Sequence, residues 1–255
     1  MPDPLVLVAM GAVTGALSGM LGAGGGFTTV AVLIAVGVGA HLAVGTSVVY
    51  TAFVVIVAVV VHARQRTGVP RLAVAVGAPA VVTSILGTWW GASADPQLIT
   101  LGCGLLTALV AAVLVWRRPV RTHPSVTTDL LASRGMLARA VAGGAAIGVL
   151  RGLFGYGGGT LVVPFMVVAL GVSEQVAVGS SLMALLPGAI SGAVGCLALG
   201  AVDLPVLALL LLGSLPATVA GARLHRRLSA ATIRRTLVIV LALTACYLVT
   251  VAVAP

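Results

Sequence analysis

Long apolar runs separated by short polar loops make up most of the chain. Because the runs are continuous and most approach the roughly 20 residues that a helix needs to cross a bilayer, we predict an all-α polytopic membrane protein, not a barrel of alternating strands. Ten segments can be drawn: Leu5–Leu21, Phe27–Val38, Leu42–Val61, Leu72–Trp90, Pro96–Val115, Met136–Phe154, Thr160–Leu170, Val176–Leu199, Leu204–Leu224 and Ala230–Val251.

Two of these segments are too short to span. Phe27–Val38 and Thr160–Leu170 hold 12 and 11 residues, or about 17 Å of helix each against a core of about 30 Å. Each follows a glycine-rich break, "LGAGGG" or "FGYGGG". We predict that each short segment forms a Gly-broken helical hairpin with its predecessor. Whether the hairpins span fully or are re-entrant stays open.

The chain also predicts an internal duplication. Gly-x-Gly-Gly-Gly occurs twice, 133 positions apart, and each copy is followed by Ala-Val-Gly and two hydroxyl residues, "AVGTS" and "AVGSS". The two copies divide the chain into a first membrane repeat at residues 1–116, a polar linker at 117–135 and a second membrane repeat at 136–255. Each half contains five segments. Duplications of this kind are frequent in transporters.

Arginine placement indicates how the halves are oriented. The loop after the third segment holds Arg64, Arg66 and Arg71, while its counterpart in the second half holds only Asp203. The next pair of loops reverses this bias, with Asp95 in the first half and five arginines in the second: Arg223, Arg226, Arg227, Arg234 and Arg235. By the positive-inside rule, we predict an inverted repeat in the inner membrane, with a cytoplasmic linker and both termini outside.

Composition supports the membrane assignment and excludes other classes. Hydrophobic residues make up 60% of the 255 positions and charged residues 7%, and the net charge of +9 comes from arginines in short loops. We therefore expect a lipid bilayer and a small anionic substrate as partners, and no nucleic acid. The cysteines are isolated, so we expect no metal site, and we expect no cofactor. The sequence does not indicate an oligomeric state.

The glycine breaks predict an anion site. Broken backbone at membrane depth must line a cavity or be buried in protein, and free N–H groups at helix starts attract anions. Arg151 lies within a predicted span, in the segment that leads into the second glycine break. The candidate substrate-binding residues combine the glycines with this guanidinium and nearby hydroxyls: Gly22, Gly24, Gly25, Gly26, Thr28, Thr46, Ser47, Arg151, Gly155, Gly157, Gly158, Gly159, Thr160, Ser180 and Ser181.

Simpler interpretations of the same residues remain open. Glycines also allow close helix packing, serine and threonine often bond to their own helix, and Arg151 could snorkel to an interface. Glu174 is predicted to be a helix-start acid in preference to a protonatable coupling group. The histidines His41, His62 and His225 are predicted to lie at interfaces because they occur near segment ends or among arginines.

With the duplicated "GxGGG" breaks and the "AVGTS" and "AVGSS" motifs, the chain resembles the sulfite exporter TauE/SafE family over nearly its whole length. That resemblance implies a bacterial transporter that exports sulfite, organosulfonates or related sulfur-containing anions. The first copy lacks the proline that the second has at Pro164, so the copies are not expected to contribute equally.

We therefore predict a secondary transporter, an exporter of small sulfur-containing anions. A passive anion channel is the main alternative. An intramembrane enzyme with Ser18 or Ser47 as nucleophile is disfavoured, because no histidine or carboxylate is predicted mid-span beside either serine. The chain has no lysine, so it cannot carry the P-loop motif of ATP-driven pumps.

Overall fold

The computed structural model describes residues 3–22, 29–30, 33, 36–91, 96–116, 133–154 and 159–253. This part of the chain is helical and contains no strand, which confirms the predicted all-α class. Nine of the ten predicted segments correspond to helices, and the tenth, Phe27–Val38, lies largely outside the described residues. The helices are α1 (Pro4–Leu21), α2 (Ala40–Arg64), α3 (Pro70–Gly91), α4 (Pro96–Trp116), α5 (Arg134–Phe154), α6 (Gly159–Val168), α7 (Glu174–Ala198), α8 (Leu204–His225) and α9 (Ala230–Val253).

Five of the described helices, α1, α2, α3, α7 and α8, are long and apolar enough to cross a membrane. Large apolar side chains also point outward, with Trp116 93% and Leu199 82% exposed. Such exposure suits a bilayer, because lipid removes the cost of leaving apolar surface outside the core. The chain is therefore a multi-pass membrane protein.

Helix α1 packs along α8 through its glycines. A Cβ atom on Gly11, Gly15 or Gly19 would collide with the backbone of the facing α8 residues, which are Leu210, Ser214 and Thr218 in turn. The two helix axes approach closely because these positions carry no side chain. Small residues at four-residue spacing are the usual way for membrane helices to pack this tightly. We call this contact the α1–α8 seam.

A second tight contact joins α3 and α5. Here a Cβ on Gly144 would collide with the backbone of Val76, and one on Gly148 with Ala80. The hydroxyl of Thr83 bridges the two helices by donating to the Ala145 carbonyl at 2.7 Å. We call this contact the α3–α5 seam. Helices α4 and α9 also pack against each other.

Helices α2 and α7 lie side by side and run in opposite directions. Gly45, in the second turn of α2, packs against Ala201, which follows the end of α7. Gly179, in the second turn of α7, packs against Gly68, which follows the end of α2. The start of each helix therefore meets the loop that leaves the other.

The turn that ends α2 recurs at the end of α7. Gln65 N donates to Val61 O at 3.1 Å, and 134 positions later Leu199 N donates to Gly195 O at 3.1 Å. The next residue has a positive φ in both turns, 54° at Arg66 and 65° at Gly200. Arg66 is the one non-glycine residue with positive φ in the described part of the chain. The same local geometry is thus used twice.

Helix α6 is short and enclosed by the rest of the protein. Its ten residues are about 15 Å long, well below a membrane span. Pro164 lies inside it, where proline removes one helical hydrogen bond. Most of its side chains from Leu161 onward are buried, among them Val162, Val163 and Met166. Protein contacts therefore support this helix where its own hydrogen bonds and length would not.

Candidate functional site

The first glycine motif begins at the end of α1. Gly22 has the left-handed conformation, with φ of 70°, and its N–H donates to Ser18 O. A Cβ on Gly22 would lie 2.9 Å from both Ser181 Oγ and the Val178 carbonyl oxygen. Glycine is therefore required here both by the backbone conformation and by the close approach of α7.

Ser181 connects the two halves at this point. Its hydroxyl donates to Val178 O at 2.8 Å and lies 3.4 Å from the Gly22 carbonyl oxygen. The side chain is fully buried. The structure thus brings together two of the predicted site residues, Gly22 from the first half of the chain and Ser181 from the second half.

Most of the other predicted glycines lie outside the described residues. This applies to Gly24, Gly25 and Gly26 with Thr28, and to Gly155, Gly157 and Gly158. Gly159 begins α6, followed by Thr160, and Arg151 belongs to the last turn of α5, but the side chains of Thr160 and Arg151 are not described. Their roles in substrate binding stay predictions.

Thr46 and Ser180 occupy equivalent places in "AVGTS" and "AVGSS" and make equivalent bonds. Thr46 Oγ1 accepts from the Asp203 N–H at 2.9 Å, and Ser180 Oγ accepts from the Val69 N–H at 3.0 Å. Asp203 and Val69 each stand immediately before a helix, α8 or α3. Each hydroxyl therefore satisfies a backbone donor at the start of a helix in the opposite half.

The two hydroxyl pairs lie at opposite ends of α2 and α7. Thr46 is bonded beyond the end of α7, whereas Ser180 is in its second turn, and the 18 residues from Ser180 to Ala198 span about 27 Å. Ser47 stays beside Thr46 and donates to Val44 O at 2.8 Å. One small anion cannot contact both hydroxyl pairs at once. If both pairs bind substrate, they do so at two separate sites.

Two buried histidines hold the end of α1, and this pair was not found from the sequence. The prediction that His62 and His225 are interfacial is wrong, because both side chains are fully buried. Their rings contact edge to face with centroids 5.0 Å apart. His62 Nε2 lies 2.9 Å from Gly19 O, and His225 Nδ1 lies 2.8 Å from Met20 O. The His41 side chain is not described.

A second polar group that sequence analysis missed surrounds Tyr50. This tyrosine on α2 is fully buried, and its hydroxyl lies 2.7 Å from Thr14 Oγ1 on α1. Ser18 lies one turn further along α1. Glycines at Gly11, Gly15 and Gly19 mark this face of α1 as the close-packed one, and the hydroxyl residues interleaved with them were the available signal.

Glu174 is the first residue of α7, which confirms the prediction of a helix-start acid. The carboxylate is fully buried and its Oε1 lies 3.8 Å from Arg234 Nη1. Arg234 also donates through Nη2 to the Leu114 carbonyl at the end of α4. Arg234 therefore links α4, α7 and α9, and its side chain is buried.

The serines proposed as nucleophiles have no base beside them in the described residues. Ser47 Oγ donates to a carbonyl of its own helix, and Ser18 Oγ has no hydrogen-bond partner in this part of the chain. His62 is committed to Gly19 O and to Thr67 Oγ1, the latter at 2.8 Å. The described residues also contain no group of three His, Cys, Asp or Glu side chains that could hold a metal ion.

Comparison with known proteins identifies the family of the chain. The family described as sulfite exporter TauE/SafE matches the chain over residues 7–248. The chain belongs to the TauE/SafE family. No solved structure matches it significantly.

Curated relatives of this TauE/SafE chain carry transporter names. The probable membrane transporter protein YdhB of Bacillus subtilis is 28% identical over 211 residues, covering 82% of this chain and 85% of the relative. A probable membrane transporter protein of Xylella fastidiosa strain 9a5c is 31% identical over 182 residues, covering 71% of this chain and 69% of the relative. YjnA of Bacillus subtilis, with the same description, is 28% identical over 234 residues, covering 88% and 91%.

Proposed function

We propose that this protein is a secondary transporter that exports a small sulfur-containing anion, such as sulfite or an organosulfonate, across the bacterial inner membrane. Membership of a transporter family supports the general class, and the family description supports the choice of anion. The membrane potential would favour anion export by about 2.3 kcal/mol per charge per 100 mV. No ATPase motif is needed for this mechanism.

The observation that carries the proposal is the exchange of equivalent contacts between the halves. Adding 134 to Thr46 gives Ser180, and adding 134 to Val69 gives Asp203, so the bond between Thr46 and Asp203 is equivalent to the bond between Ser180 and Val69. In the same way, the α1–α8 seam is equivalent to the α3–α5 seam. Antiparallel α2 and α7 are then the same helix in the two copies. These contacts support an inverted repeat, the architecture in which alternating access can occur by rocking one half against the other.

The positions of the arginines support a cytoplasmic linker and external termini. The contact between His62 and His225 brings together the ends of α2 and α8, so the arginines that follow both helices lie at the same end of the molecule. Arg234 adds the end of α4, from which the linker departs. Clustering of arginine at one end is the signature of the cytoplasmic face.

The described part of the second glycine motif supports an anion site between Gly-broken hairpins. Helix α6 starts at Gly159 and is short, and most of its side chains from Leu161 onward are buried in the protein. Helix starts inside the protein leave N–H groups for a ligand. Glu174 is the one fully buried carboxylate among the described residues, and it is paired with Arg234, so little negative charge opposes an anion.

Counterflow in proteoliposomes tests the proposal. Vesicles containing the purified protein are loaded with unlabelled sulfite, thiosulfate, taurine or sulfoacetate, and uptake of the same labelled compound is followed. We expect saturable exchange of at least one of them by the wild type. Absence of counterflow with every compound would contradict a carrier of these anions, and large single-channel currents without exchange would indicate a passive channel instead.

Arg151→Ala addresses the predicted anion site within the same assay. We expect it to lose exchange while expression is retained, because it removes the guanidinium predicted to face the substrate. Arg235→Ala is the matched control, since Arg235 is exposed at the start of α9. Equal exchange by the two variants would show that Arg151 only anchors the helix.

A further inference from the structure

Two imidazoles from different helices bind consecutive carbonyls at the end of α1. His62 comes from α2 and His225 from α8, and they bond to Gly19 O and Met20 O. The next-but-one residue after Met20 is Gly22, where the first glycine motif begins. No counterpart exists in the other repeat, because the positions equivalent to His62 and His225 are Cys196 and Gly91.

The carbonyl partners determine where the ring protons are. A carbonyl oxygen can only accept a hydrogen bond, so His62 must carry a proton on Nε2 and His225 on Nδ1. The remaining basic nitrogen of His62, Nδ1, faces the Thr67 hydroxyl at 2.8 Å. The remaining nitrogen of His225, Nε2, is buried without a hydrogen-bond partner among the described residues. It is therefore the nitrogen available to accept a proton.

Two buried hydroxyl residues neighbour Gly19 on the α1–α8 seam. Ser18 precedes Gly19 in α1, and the backbone of Thr218 in α8 lies where a Cβ on Gly19 would be. Both side chains are at most 1% exposed, and neither oxygen has a hydrogen-bond partner in the described part of the chain. Buried polar atoms without partners are rare in folded proteins and usually indicate bound water or another polar occupant.

The chemistry of this cluster suits a proton better than a metal ion or an anion. A metal ion would find one free imidazole nitrogen and no carboxylate in the cluster, and the described residues contain no larger ligand group. An anion would meet the carbonyl oxygens at the negative end of α1. Added positive charge is stabilised by that end of the helix, and hydroxyls beside it can carry protons through water.

We infer that His62 and His225 form a proton-binding site that couples anion transport to the proton gradient, with Ser18 and Thr218 on its path. The inference rests on the proposed transport function and adds its coupling ion. A proton binds at His225 Nε2 and leaves from the same nitrogen, and the Nδ1–H bond to Met20 O persists throughout. No other bond forms or breaks.

Few charged groups compete with the imidazoles from the surrounding helices. Glu174 of α7 is paired with Arg234 of α9. The arginines at the adjoining ends of α2, the following loop, α3 and α8 are exposed to solvent, and they are Arg64, Arg66, Arg71, Arg223, Arg226 and Arg227. Helix α1 contributes carbonyl oxygens and no charged side chain at this place. The charge of the histidine pair therefore depends mainly on whether the pair has bound a proton.

Proton binding at this place would act on the first glycine motif. A charged imidazole makes shorter and stronger hydrogen bonds to carbonyls than a neutral one, so the end of α1 is held more firmly when the pair is charged. Gly22 follows directly and contacts Ser181 of α7. By linkage, a substrate that favours one position of this motif must also change proton affinity at the histidines.

Two measurements on the same proteoliposomes test the coupling. Anion exchange is measured without a pH gradient, and net accumulation is measured with a gradient of one pH unit in each direction while valinomycin and potassium hold the membrane potential at zero. For one proton per anion, we expect about tenfold accumulation by the wild type. His225→Gln keeps an N–H donor for Met20 O but cannot take the proton, so we expect its accumulation to fall several-fold more than its exchange.

Thr218→Val tests the proposed proton path, and Thr83→Val is its matched control. Both remove a hydroxyl from a seam, but the partly buried Thr83 hydroxyl is already bonded to Ala145 O. We expect Thr218→Val to lower accumulation relative to exchange and Thr83→Val to leave this ratio unchanged. A wild type that exchanges anions but responds only to a sodium gradient, or a His225→Gln variant with an unchanged ratio, would overturn the inference while leaving the transport function intact.

Nitrogen NMR of the reconstituted protein, labelled at its four histidines, gives a readout that does not require a known substrate. Comparison with His62→Gln and His225→Gln assigns the signals. We expect one imidazole of the pair to take up a second ring proton as the pH is lowered, with a corresponding change in its nitrogen signals. Two imidazoles that stay neutral over the whole pH range in which the protein remains folded would be structural caps of α1, and the inference would be wrong.

Discussion

At the scale of single residues, glycine and hydroxyl positions do more than line a site. Gly22 combines a positive φ with a close approach to α7. Thr46 and Ser180 accept hydrogen bonds from N–H groups at the starts of α8 and α3. Residues with these roles contribute to stability whether or not a substrate is bound.

Gly22→Ala should destabilise the protein more than Gly200→Ala. Both substitutions place alanine at a positive φ, which costs about 1–2 kcal/mol, but Gly200 has nothing within 4 Å of the added Cβ whereas Gly22 meets Ser181 and Val178. The comparison is made by thermal unfolding in detergent. Equal shifts for the two variants would show that the contact with α7 yields without cost.

Thr46→Val and Ser180→Ala should each loosen the opposite half. Each leaves one backbone N–H without its acceptor, a loss of about 1–3 kcal/mol when the donor is buried. Hydrogen exchange is expected to rise around Asp203 in the first variant and around Val69 in the second, in the absence of any anion. If anion transport fell while hydrogen exchange around Asp203 and Val69 stayed unchanged, these hydroxyls would be assigned to substrate binding alone.

Arg234→Gln should cost more stability than Arg235→Gln. The first leaves the Glu174 carboxylate buried without its cation, which typically costs about 3–5 kcal/mol, whereas Arg235 is exposed. Thermal unfolding measures the difference. Adding Glu174→Gln to Arg234→Gln should recover part of the loss, and a double variant that is less stable than Arg234→Gln would argue against the pairing.

At the scale of helices, two close-packed seams define the architecture. The α1–α8 seam and the α3–α5 seam both depend on glycines that face backbone. They differ in polarity, because the first carries Ser18, Ser214 and Thr218 while the second has one bonded hydroxyl at Thr83. Similar packing thus supports different chemistry at the two seams.

Gly15→Ala and Gly148→Ala should both separate their seams. Each adds a Cβ where the neighbouring helix backbone already lies within 3 Å, and overpacking of this kind costs about 1–3 kcal/mol. Gly195→Ala serves as the control, since nothing lies within 4 Å of its Cβ. Lower unfolding temperatures for the two seam variants alone are expected, and a control that falls equally would attribute the loss to another cause.

At the scale of the whole molecule, the opposed directions of α2 and α7 give the two ends their different character. The end that holds His62 and His225 also carries the exposed arginines. The turn at Gly200 lies at the other end, beside Gly45. The proposed inverted repeat therefore predicts that equivalent turns are reached from opposite sides of the membrane.

Labelling of single cysteines by an impermeant maleimide tests this arrangement. In a chain whose three cysteines are replaced by alanine, Leu199→Cys should react in intact cells, and Arg64→Cys should react only after permeabilisation, because both positions are exposed. Ser133→Cys, beside the linker, should follow Arg64→Cys. Reaction of Leu199→Cys and Arg64→Cys from the same side would contradict the inverted topology.

The sequence by itself determined the class of protein and most of its elements. Nine predicted segments agree with helices to within about two to three residues at each end, because long apolar runs and the loops that interrupt them are local features. The short α6 was predicted at 160–170 and observed at Gly159–Val168. The same local reading also placed Glu174 at the start of α7.

Only the tertiary structure decided which distant residues meet. Thr46 bonds to Asp203 across 157 positions, and His225 bonds to Met20 across 205. Sequence spacing carries no information about such pairs, so His62 and His225 were predicted at interfaces and Arg234 in an arginine-rich loop. Their burial follows from how α1, α2, α7, α8 and α9 pack, since a side chain at a helix end is enclosed only when other helix ends surround it.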